Sequence, residues 1–321
     1  MNPFKKLLPH SKGKSNNFLV VEIGLGRVTA AIYKAGDSRP VQVVAGRKNF
    51  STYENIFEAC LQAIDALAAI NENIPRKAIL GVSDGIMRTT TTVASYSRPN
   101  PSEAVDTQEV EKVLEQIAAA TKAEPLKVFF STVASAKIDE ASVTNPVGLK
   151  GEKASLACFV AFKAPEELAV FDKLIEELEL SVNKVVPTSF AVSRLVLKKN
   201  LNDALLLRVG KEKSEGALLS EGHIYEILPF DLGVSGLSYL SIGVEAIISL
   251  LEKEKRPQTI WLYPDEDDVD LKLVAEKLSA FPWQEKLSYQ EVPQIVSEAL
   301  ESDVAEADIG ILALANEFLE G

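Results

Sequence analysis

Apolar residues fall in short runs and helical stripes that divide the first part of the chain into predicted strands and a helix. Residues 18–34 hold two β-branched apolar runs around a Gly-containing bend, which predicts a β-hairpin. A third strand is predicted over 41–48. Residues 52–71 carry apolar side chains at helical spacing, preceded by a Ser51–Glu54 capping box. With a buried strand at 77–83, these elements predict one α/β layer.

A second group of elements predicts a small inserted subdomain followed by a return to the first layer. Its members are a strand over 89–93, a loop at Pro99 and Pro101, a helix over 102–122, and strands over 128–139 and 154–164. After it, Pro165 lies in the first turn of a helix predicted to run to residue 179. A strand over 182–187 follows, and Thr188 or Ser189 is expected to cap a helix ending near Leu197.

The second half of the chain repeats the opening pattern. Apolar runs over 204–210, 216–222 and 223–230, with a polar turn at 211–215, predict a further set of antiparallel strands. An amphipathic helix over 239–254, a strand over 259–263 and a last helix over 306–319 are also predicted. Two similar strand–strand–strand–helix units in one chain indicate an internal duplication.

Composition narrows the function classes. The chain has 321 residues and a net charge of -12, which disfavours a broad nucleic-acid surface. Cys60 and Cys158 lie far apart in apolar stretches, so we expect reduced core residues rather than a disulfide. His10 and His223 are isolated, so no metal site is expected. No apolar run approaches the roughly 18 residues needed to span a bilayer, which favours a cytoplasmic protein.

The amino-terminal leader, residues 1–16, is predicted to be mobile, and it contains lysines but no acidic residue. The candidate membrane contact is Phe4, Lys5, Lys6, Leu7 and Leu8. Phe4, Leu7 and Leu8 share one helical face, and the lysines would approach an anionic membrane at the inner face of the cell. A disordered tail and a peptide that docks on a partner are the two alternatives.

Three stretches resemble the cell-division protein FtsA and its pilus-assembly relative PilM. They are residues 20–28 (VVEIGLGRV), like the family's first phosphate loop, residues 145–151 (NPVGLKG), like a motif of its inserted subdomain, and residues 164–197, like the stretch that leads into the second phosphate loop. The resemblance implies a two-lobed actin-like ATPase fold of the α/β class, with an FtsA-type inserted subdomain. Only a short segment separates Phe230 from Trp261, where FtsA has an extra subdomain, so a reduced second lobe is expected.

The expected domains follow from this resemblance. They are the leader at 1–16, a first lobe at 17–84 and 164–201, an FtsA-type insert at 85–163, and a shortened second lobe at 202–321. Because the extra FtsA subdomain is missing, the surfaces with which that family binds FtsZ and polymerises are not carried over.

The resemblance also implies a nucleotide site between the lobes, built on two Gly-containing loops whose N–H groups approach phosphate. If nucleotide binding is retained, the candidate residues are Glu22, Gly24, Gly26, Arg27 and Gly210. The second loop departs from the family pattern, because Arg208 stands in place of the acid that organises Mg²⁺. For the first loop, a plain hairpin that needs glycine for its turn is the alternative.

The adenosine-binding segment also departs from the family pattern. A Gly-Gly pair is replaced by Tyr263-Pro264, and the acidic run 265–270 follows. That run is expected to be a solvated loop or helix N-terminus, with calcium binding as a weaker alternative.

These features predict an actin-like scaffold of a division, type IV pilus or type II secretion assembly. We expect no catalytic residue, no metal and no nucleotide cofactor, with protein partners and self-association. An ATP-binding conformational switch of the same fold is the main alternative. In that case the family resemblance implies that ATP and Mg²⁺ are the ligands. A sugar or acetate kinase is the third hypothesis, although no substrate-site acid is visible beyond Glu22.

Overall fold

The fold consists of two similar five-stranded sheets, a helical layer between them and a separate four-stranded sheet. The computed structural model describes residues 16–36, 39–50, 52–71, 73–83, 87–121, 124–143, 145–297 and 306–320. Residues 1–15 of the leader, which include its five candidate membrane-contact residues, lie outside these ranges, as does Ser51 of the predicted capping box.

The strands of the first-lobe sheet are β1 (Asn17–Ile23), β2 (Arg27–Lys34), β3 (Val41–Asn49), β4 (Lys77–Val82) and β9 (Ser181–Pro187). Their order is β3-β2-β1-β4-β9, in which β1, β2 and β3 are antiparallel and β1, β4 and β9 are parallel. Helices α1 (Ile56–Ala68) and α3 (Pro165–Glu177) cover its outer face. Pro165 lies at the start of α3, as predicted.

The second-lobe sheet repeats this arrangement with the strands β10 (Ala204–Val209), β11 (Ser214–Ser220), β12 (His223–Phe230), β13 (Thr259–Pro264) and β14 (Gln294–Val296). Their order is β12-β11-β10-β13-β14, with the same pattern of antiparallel and parallel pairs. Its outer face is covered by α5 (Leu237–Ile248), α6 (Leu271–Ser279) and α7 (Trp283–Leu287). Between β12 and β13 the chain forms only α5 and short 3-10 turns.

Two helices lie between the sheets and join their inner faces in one apolar core. They are α4 (Thr188–Leu197) and α8 (Ile309–Glu320). Although α8 follows the second lobe in sequence and was assigned to it, it packs against α4 and against β1, β2 and β4 of the first lobe. The predicted cap of α4 is wrong: no side chain caps this helix, because Ser189 bonds to Glu215 and Tyr263 instead.

The inserted subdomain lies between β4 and α3. Its strands are β5 (Arg88–Ser97), β6 (Lys127–Ile138), β7 (Ala141–Val143) and β8 (Lys153–Lys163), antiparallel in the order β5-β8-β6-β7, and α2 (Thr107–Ala120) packs on one face. Two threonines of β5 bond to the backbone of β12: Thr91 Oγ1 donates to Ile224 O at 2.6 Å, and Thr89 Oγ1 accepts from Ile227 N at 2.8 Å. The insert therefore contacts the second lobe as well as the first.

The 145–151 motif shapes the insert's loop. Gly148 has φ +89°, which a residue with a Cβ rarely adopts, and its N–H donates to Val105 O at 2.8 Å. Leu149 O accepts from Val105 N at 2.8 Å, so the motif and the segment before α2 are joined by a pair of backbone bonds. Gly151 lies where a Cβ would be 2.4 Å from Ile138 Cγ2. The backbone conformation at Gly148 and the close packing at Gly151 therefore explain why glycine occupies these two positions.

Candidate functional site

Two β-hairpin turns face each other across the cleft between the lobes. In the β1–β2 turn the Gly24 N–H donates to Arg27 O at 2.8 Å, and in the β10–β11 turn the Gly210 N–H donates to Lys213 O at 2.9 Å. A Cβ built on Gly210 would lie 3.7 Å from Leu25 Cβ, which places the two turns in van der Waals reach. The repeated strands thus form a pair of opposed turns, the arrangement that the family resemblance implied.

A buried ion triplet, which we call the ion bridge, lies at the base of these turns. Its members are Glu22 of β1, Arg208 of β10 and Asp265, which follows β13. Arg208 Nη1 is 2.7 Å from Glu22 Oε1, and Arg208 Nη2 is 2.7 Å from Asp265 Oδ1. All three side chains are at most 2% exposed. A charged group at such depth is stable only when it is paired, so each member depends on the others.

The Asp265 carboxylate also accepts two backbone N–H groups from the first-lobe turn. Leu25 N donates to Asp265 Oδ1 at 3.1 Å and Gly26 N donates to Asp265 Oδ2 at 3.2 Å. A Cβ on Gly24 would lie 2.6 Å from Asp265 Oδ1, so glycine at this position leaves room for the carboxylate. The turn therefore binds an anion, and that anion is a side chain of the protein itself.

Buried hydroxyl and carboxyl groups extend the ion bridge into the interior. Arg208 Nη1 donates to Ser83 Oγ at 2.9 Å, and Ser83 Oγ donates to Glu215 Oε1 at 3.3 Å. Ser189 Oγ also donates to Glu215, and it lies 2.9 Å from Tyr263 Oη. Burial raises the pKa of Tyr263, so its phenol stays protonated. The result is a continuous polar network that joins β11 and β13 to first-lobe residues.

Nearer the surface, the rest of the acidic segment, defined here as residues 265–268, pairs with two further cations. Arg27 Nη1 is 3.4 Å from Asp267, and Lys211 Nζ is 3.3 Å from Glu266 and 2.7 Å from Asp268. Arg27 also donates to Ala307 O at 3.0 Å. Every acid of the segment therefore has a basic partner, counting the Arg208–Asp265 contact.

Burial and ion pairing shift the pKa values of Glu22 and Arg208 in opposite directions. Burial raises the pKa of Glu22, and the positive charge of Arg208 opposes that shift. For Arg208, burial acts to lower the pKa, but the charges of Glu22 and Asp265 outweigh it and the net direction is upward. The guanidinium is therefore charged at every accessible pH.

The five candidate nucleotide residues meet in this cleft. Glu22 belongs to the ion bridge, Gly24 and Gly26 border Asp265, Arg27 pairs with Asp267, and Gly210 closes the opposite turn. Their role towards a nucleotide stays a prediction. In the part of the chain that the structure describes, no group of His, Cys, Asp or Glu side chains is arranged to hold a metal ion.

Asp265 is the residue that the sequence interpretation missed. We expected a solvated run, and that expectation is wrong for Asp265 and Glu266, which are 0% and 8% exposed. Asp270 does begin a helix, since its side chain accepts N–H bonds from Lys272 and Leu273 at the start of α6. The internal repeat could have located Asp265: it follows β13 as Ser83 follows β4, and both contact Arg208.

Comparison with known proteins identifies the fold. The structure resembles the PilM–PilN type IV pilus biogenesis complex, with a TM-score of 0.60, 13% sequence identity, and coverage of 94% of this chain and 98% of that one. It also resembles a Bacteroides thetaiotaomicron protein with an actin-like ATPase fold and unknown function, at TM-score 0.51 and 11% identity, covering 98% and 99%. No family model and no curated protein matches the sequence. The protein has the two-lobed actin-like ATPase fold, as predicted.

Proposed function

We propose that this chain is an actin-like scaffold of a bacterial membrane-associated assembly and that it does not hydrolyse ATP. The observation that carries the proposal is the position of Arg208. In the resembled family this position supplies an acid that organises Mg²⁺, whereas here a buried guanidinium is 2.7 Å from both Glu22 and Asp265. A fixed positive charge at that point opposes a divalent cation.

A magnesium–nucleotide complex does not fit the side chains that line the cleft. The first-turn N–H groups that would approach phosphate already donate to Asp265, and the adjoining Glu266 lies 3.3 Å from a Cβ built on Gly26. A phosphate at this turn would meet carboxylates rather than free donors. Because losing a single preorganised donor costs about 2.7–4 kcal/mol of transition-state stabilisation, the arrangement supports a scaffold.

Isothermal titration of the whole protein with Mg-ATP, paired with a phosphate-release assay, tests this proposal. We expect no heat of binding up to about 1 mM ATP, near the weak end of ordinary substrate affinities, and no release above the rate without protein. Submillimolar binding that Gly24→Val abolishes would overturn it. That result would favour the second candidate, an ATP-binding conformational switch, whose support is the intact Gly24 turn with its 2.8 Å bond to Arg27 O.

The similarity to the PilM–PilN complex supports a pilus or secretion assembly over a cell-division one. In this proposal the partners are other proteins of that assembly, and self-association is compatible with the scaffold role. Crosslinking in the native cell, followed by mass spectrometry of peptides attached to this chain, tests the choice. Pilus or secretion components among the crosslinked partners would support the proposal, and division proteins alone would contradict it.

Membrane contact through residues 3–9 of the leader is a further part of the proposal. Among the described residues, no helix is both long and apolar enough to cross a membrane. Each lysine near an anionic surface contributes about 1 kcal/mol, so a single copy would bind weakly and an assembly more firmly. Pelleting with anionic vesicles should be stronger for the full chain than for one starting at Asn17. Equal pelleting would remove this part.

A further inference from the structure

The acidic segment belongs to the second lobe, but its buried carboxylate binds the first. Asp265 directly follows β13, and its own N–H donates to Val209 O of β10 at 2.8 Å, which fixes it to the second-lobe sheet. Its side chain accepts from Leu25 and Gly26 of the first-lobe turn. Arg208 makes the reverse connection, from β10 to Glu22 and Ser83. The ion bridge therefore crosses the cleft in both directions.

The two connections share a member, which makes them dependent on one another. Arg208 Nη2 contacts the same oxygen, Asp265 Oδ1, that accepts the Leu25 N–H. If the lobes separate, Glu22 loses its paired cation and Asp265 loses two donors in one movement. Exposed ion pairs contribute little, but these side chains are at most 2% exposed while the lobes are closed. A separation too small to admit water would therefore leave buried charges only partly compensated.

We infer that Asp265 and Arg208 together act as a built-in ligand that holds the two lobes closed, with the carboxylate in the place of an anion and the guanidinium in the place of a cation. In related folds that bind ligands, closure of two lobes is commonly coupled to occupancy of the cleft. In this chain closure is a fixed property of the sequence. The inference rests on the proposed function in one respect, namely that the cleft closes without a nucleotide.

Removing the carboxylate and returning it as a small molecule tests this inference. Spin labels are placed on cysteines replacing Lys48 of β3 and Lys272 of α6, two exposed sites on opposite lobes. The native thiols do not compete for the label, because burial raises the pKa of Cys60 to about 12 and of Cys158 to about 11. Pulsed electron paramagnetic resonance then gives the interlobe distance distribution.

We expect Asp265→Ala to lengthen or broaden this distance by more than about 2 Å, the scale of a real rearrangement. Sodium formate, which supplies a free carboxylate for the vacated N–H groups and Arg208, should restore the original distribution, and sodium chloride at equal ionic strength should not. The matched control is Asp268→Ala, which removes the same charge from the same segment. The ion pair that Asp268 makes among the described residues is with Lys211 on its own lobe. This variant should leave the distance unchanged.

An unchanged distance in folded Asp265→Ala would overturn the inference, as would equal opening in Asp268→Ala. If Asp265→Ala does not fold without formate but folds with it, measured by circular dichroism, the same dependence on the carboxylate is shown. If neither condition folds it, Asp265→Asn, which keeps the side-chain volume, is labelled instead and read by the same distance criterion. Mg-ATP added to the labelled parent protein tests the proposed function separately from the inference about Asp265 and Arg208. An ATP-dependent change in the interlobe distance would contradict the proposed function. Whether Asp265 holds the lobes closed is decided by Asp265→Ala alone.

Discussion

The first-lobe and second-lobe turns have the same backbone hydrogen bonds, but the side chains beside them differ in charge. Each turn has a glycine whose N–H donates three residues ahead, to Arg27 O or Lys213 O, at 2.8 and 2.9 Å. The residue after the adjoining parallel strand, Ser83 or Asp265, donates its N–H to the turn's strand at 2.8 Å in both cases. The repeat is therefore preserved in hydrogen-bond geometry down to single residues.

The side chains at equivalent positions differ in charge. Two residues before the turn glycine stands Glu22 in the first lobe and Arg208 in the second, and these two form the buried pair. After the parallel strand stands Ser83 in the first lobe and Asp265 in the second, and both contact Arg208. One matched pair of positions therefore carries charges of opposite sign and the other a hydroxyl and a carboxylate, and all four side chains meet at Arg208. Substitutions at these positions should show how much of the molecule's stability depends on that difference.

The largest effect is expected from Arg208→Met, which keeps a long side chain but removes the charge. Glu22 and Asp265 would be left buried without their cation, so we expect the free energy of unfolding to fall by about 3–5 kcal/mol in urea titrations. The triple variant Glu22→Gln, Arg208→Met, Asp265→Asn removes all three charges and should recover most of that loss. If the triple variant is as unstable as the single one, the charge comparison is not the source of the stability.

Gly24→Ala tests the space that the first turn leaves for Asp265. Its Cβ would lie 2.6 Å from Asp265 Oδ1 and 2.9 Å from Arg27 O, so we expect a loss of about 1–3 kcal/mol in the free energy of unfolding. Gly26→Ala is the matched control, because its Cβ meets the end of the flexible Glu266 side chain at 3.3 Å. Thermal melts of the two variants should differ clearly. Equal melting temperatures would contradict the close fit.

The Arg98–Glu109 pair of the insert provides a reference for a less buried ion pair. Hydrogen bonding to Arg98 lowers the pKa of Glu109 below its usual range. The stabilisation that this ion pair provides is therefore present above the pKa of Glu109 in the unfolded chain, about 4.3. It is lost as the pH falls through the lower pKa of Glu109 in the folded protein. Glu109→Gln should cost about 1 kcal/mol at pH 7 and much less at pH 3. A pH-independent difference between wild type and variant would refute this assignment.

The smallest effect is expected at the rim of the cleft. Asp267 is 64% exposed and its contact with Arg27 is 3.4 Å long, so Asp267→Asn should change the free energy of unfolding by about 0.5 kcal/mol or less. Sodium chloride at 0.5 M should remove even that difference, because exposed pairs are screened. A loss comparable to that of Arg208→Met would show that the rim, and not the ion bridge, carries the interlobe contact.

Most of the fold followed from local patterns, whereas the site depended on contacts that local patterns do not contain. The repeated hairpins and the Pro165 helix start appear as predicted, because period, β-branching and proline act over a few residues. Glu22 and Arg208 were both noticed, but their 186-residue separation hid the pairing. The burial of Asp265 was not predicted, because five acids in six positions are typical of a solvent-exposed segment. Its buried position is stabilised by Arg208 and by the N–H groups of Leu25 and Gly26, which are distant in sequence.

The expected cap of α4 failed for a related reason. Thr188 and Ser189 have the side chains that favour a helix start, but both are fully buried between the sheets. Ser189 instead donates to the buried Glu215 carboxylate and lies within hydrogen-bond distance of the Tyr263 hydroxyl. The local preference of serine for a helix start is therefore outweighed by hydrogen bonding to buried polar side chains.

The placement of α8 has a consequence for how the chain is made. The inner face of the first sheet is completed by residues 309–320, which follow the whole second lobe in sequence. During synthesis the first lobe would emerge early yet keep an apolar surface uncovered until those residues leave the ribosome. Folding of the first lobe is therefore completed only after the second lobe has been synthesised. A ribosome stalled before residue 309 would leave this apolar surface exposed to chaperones.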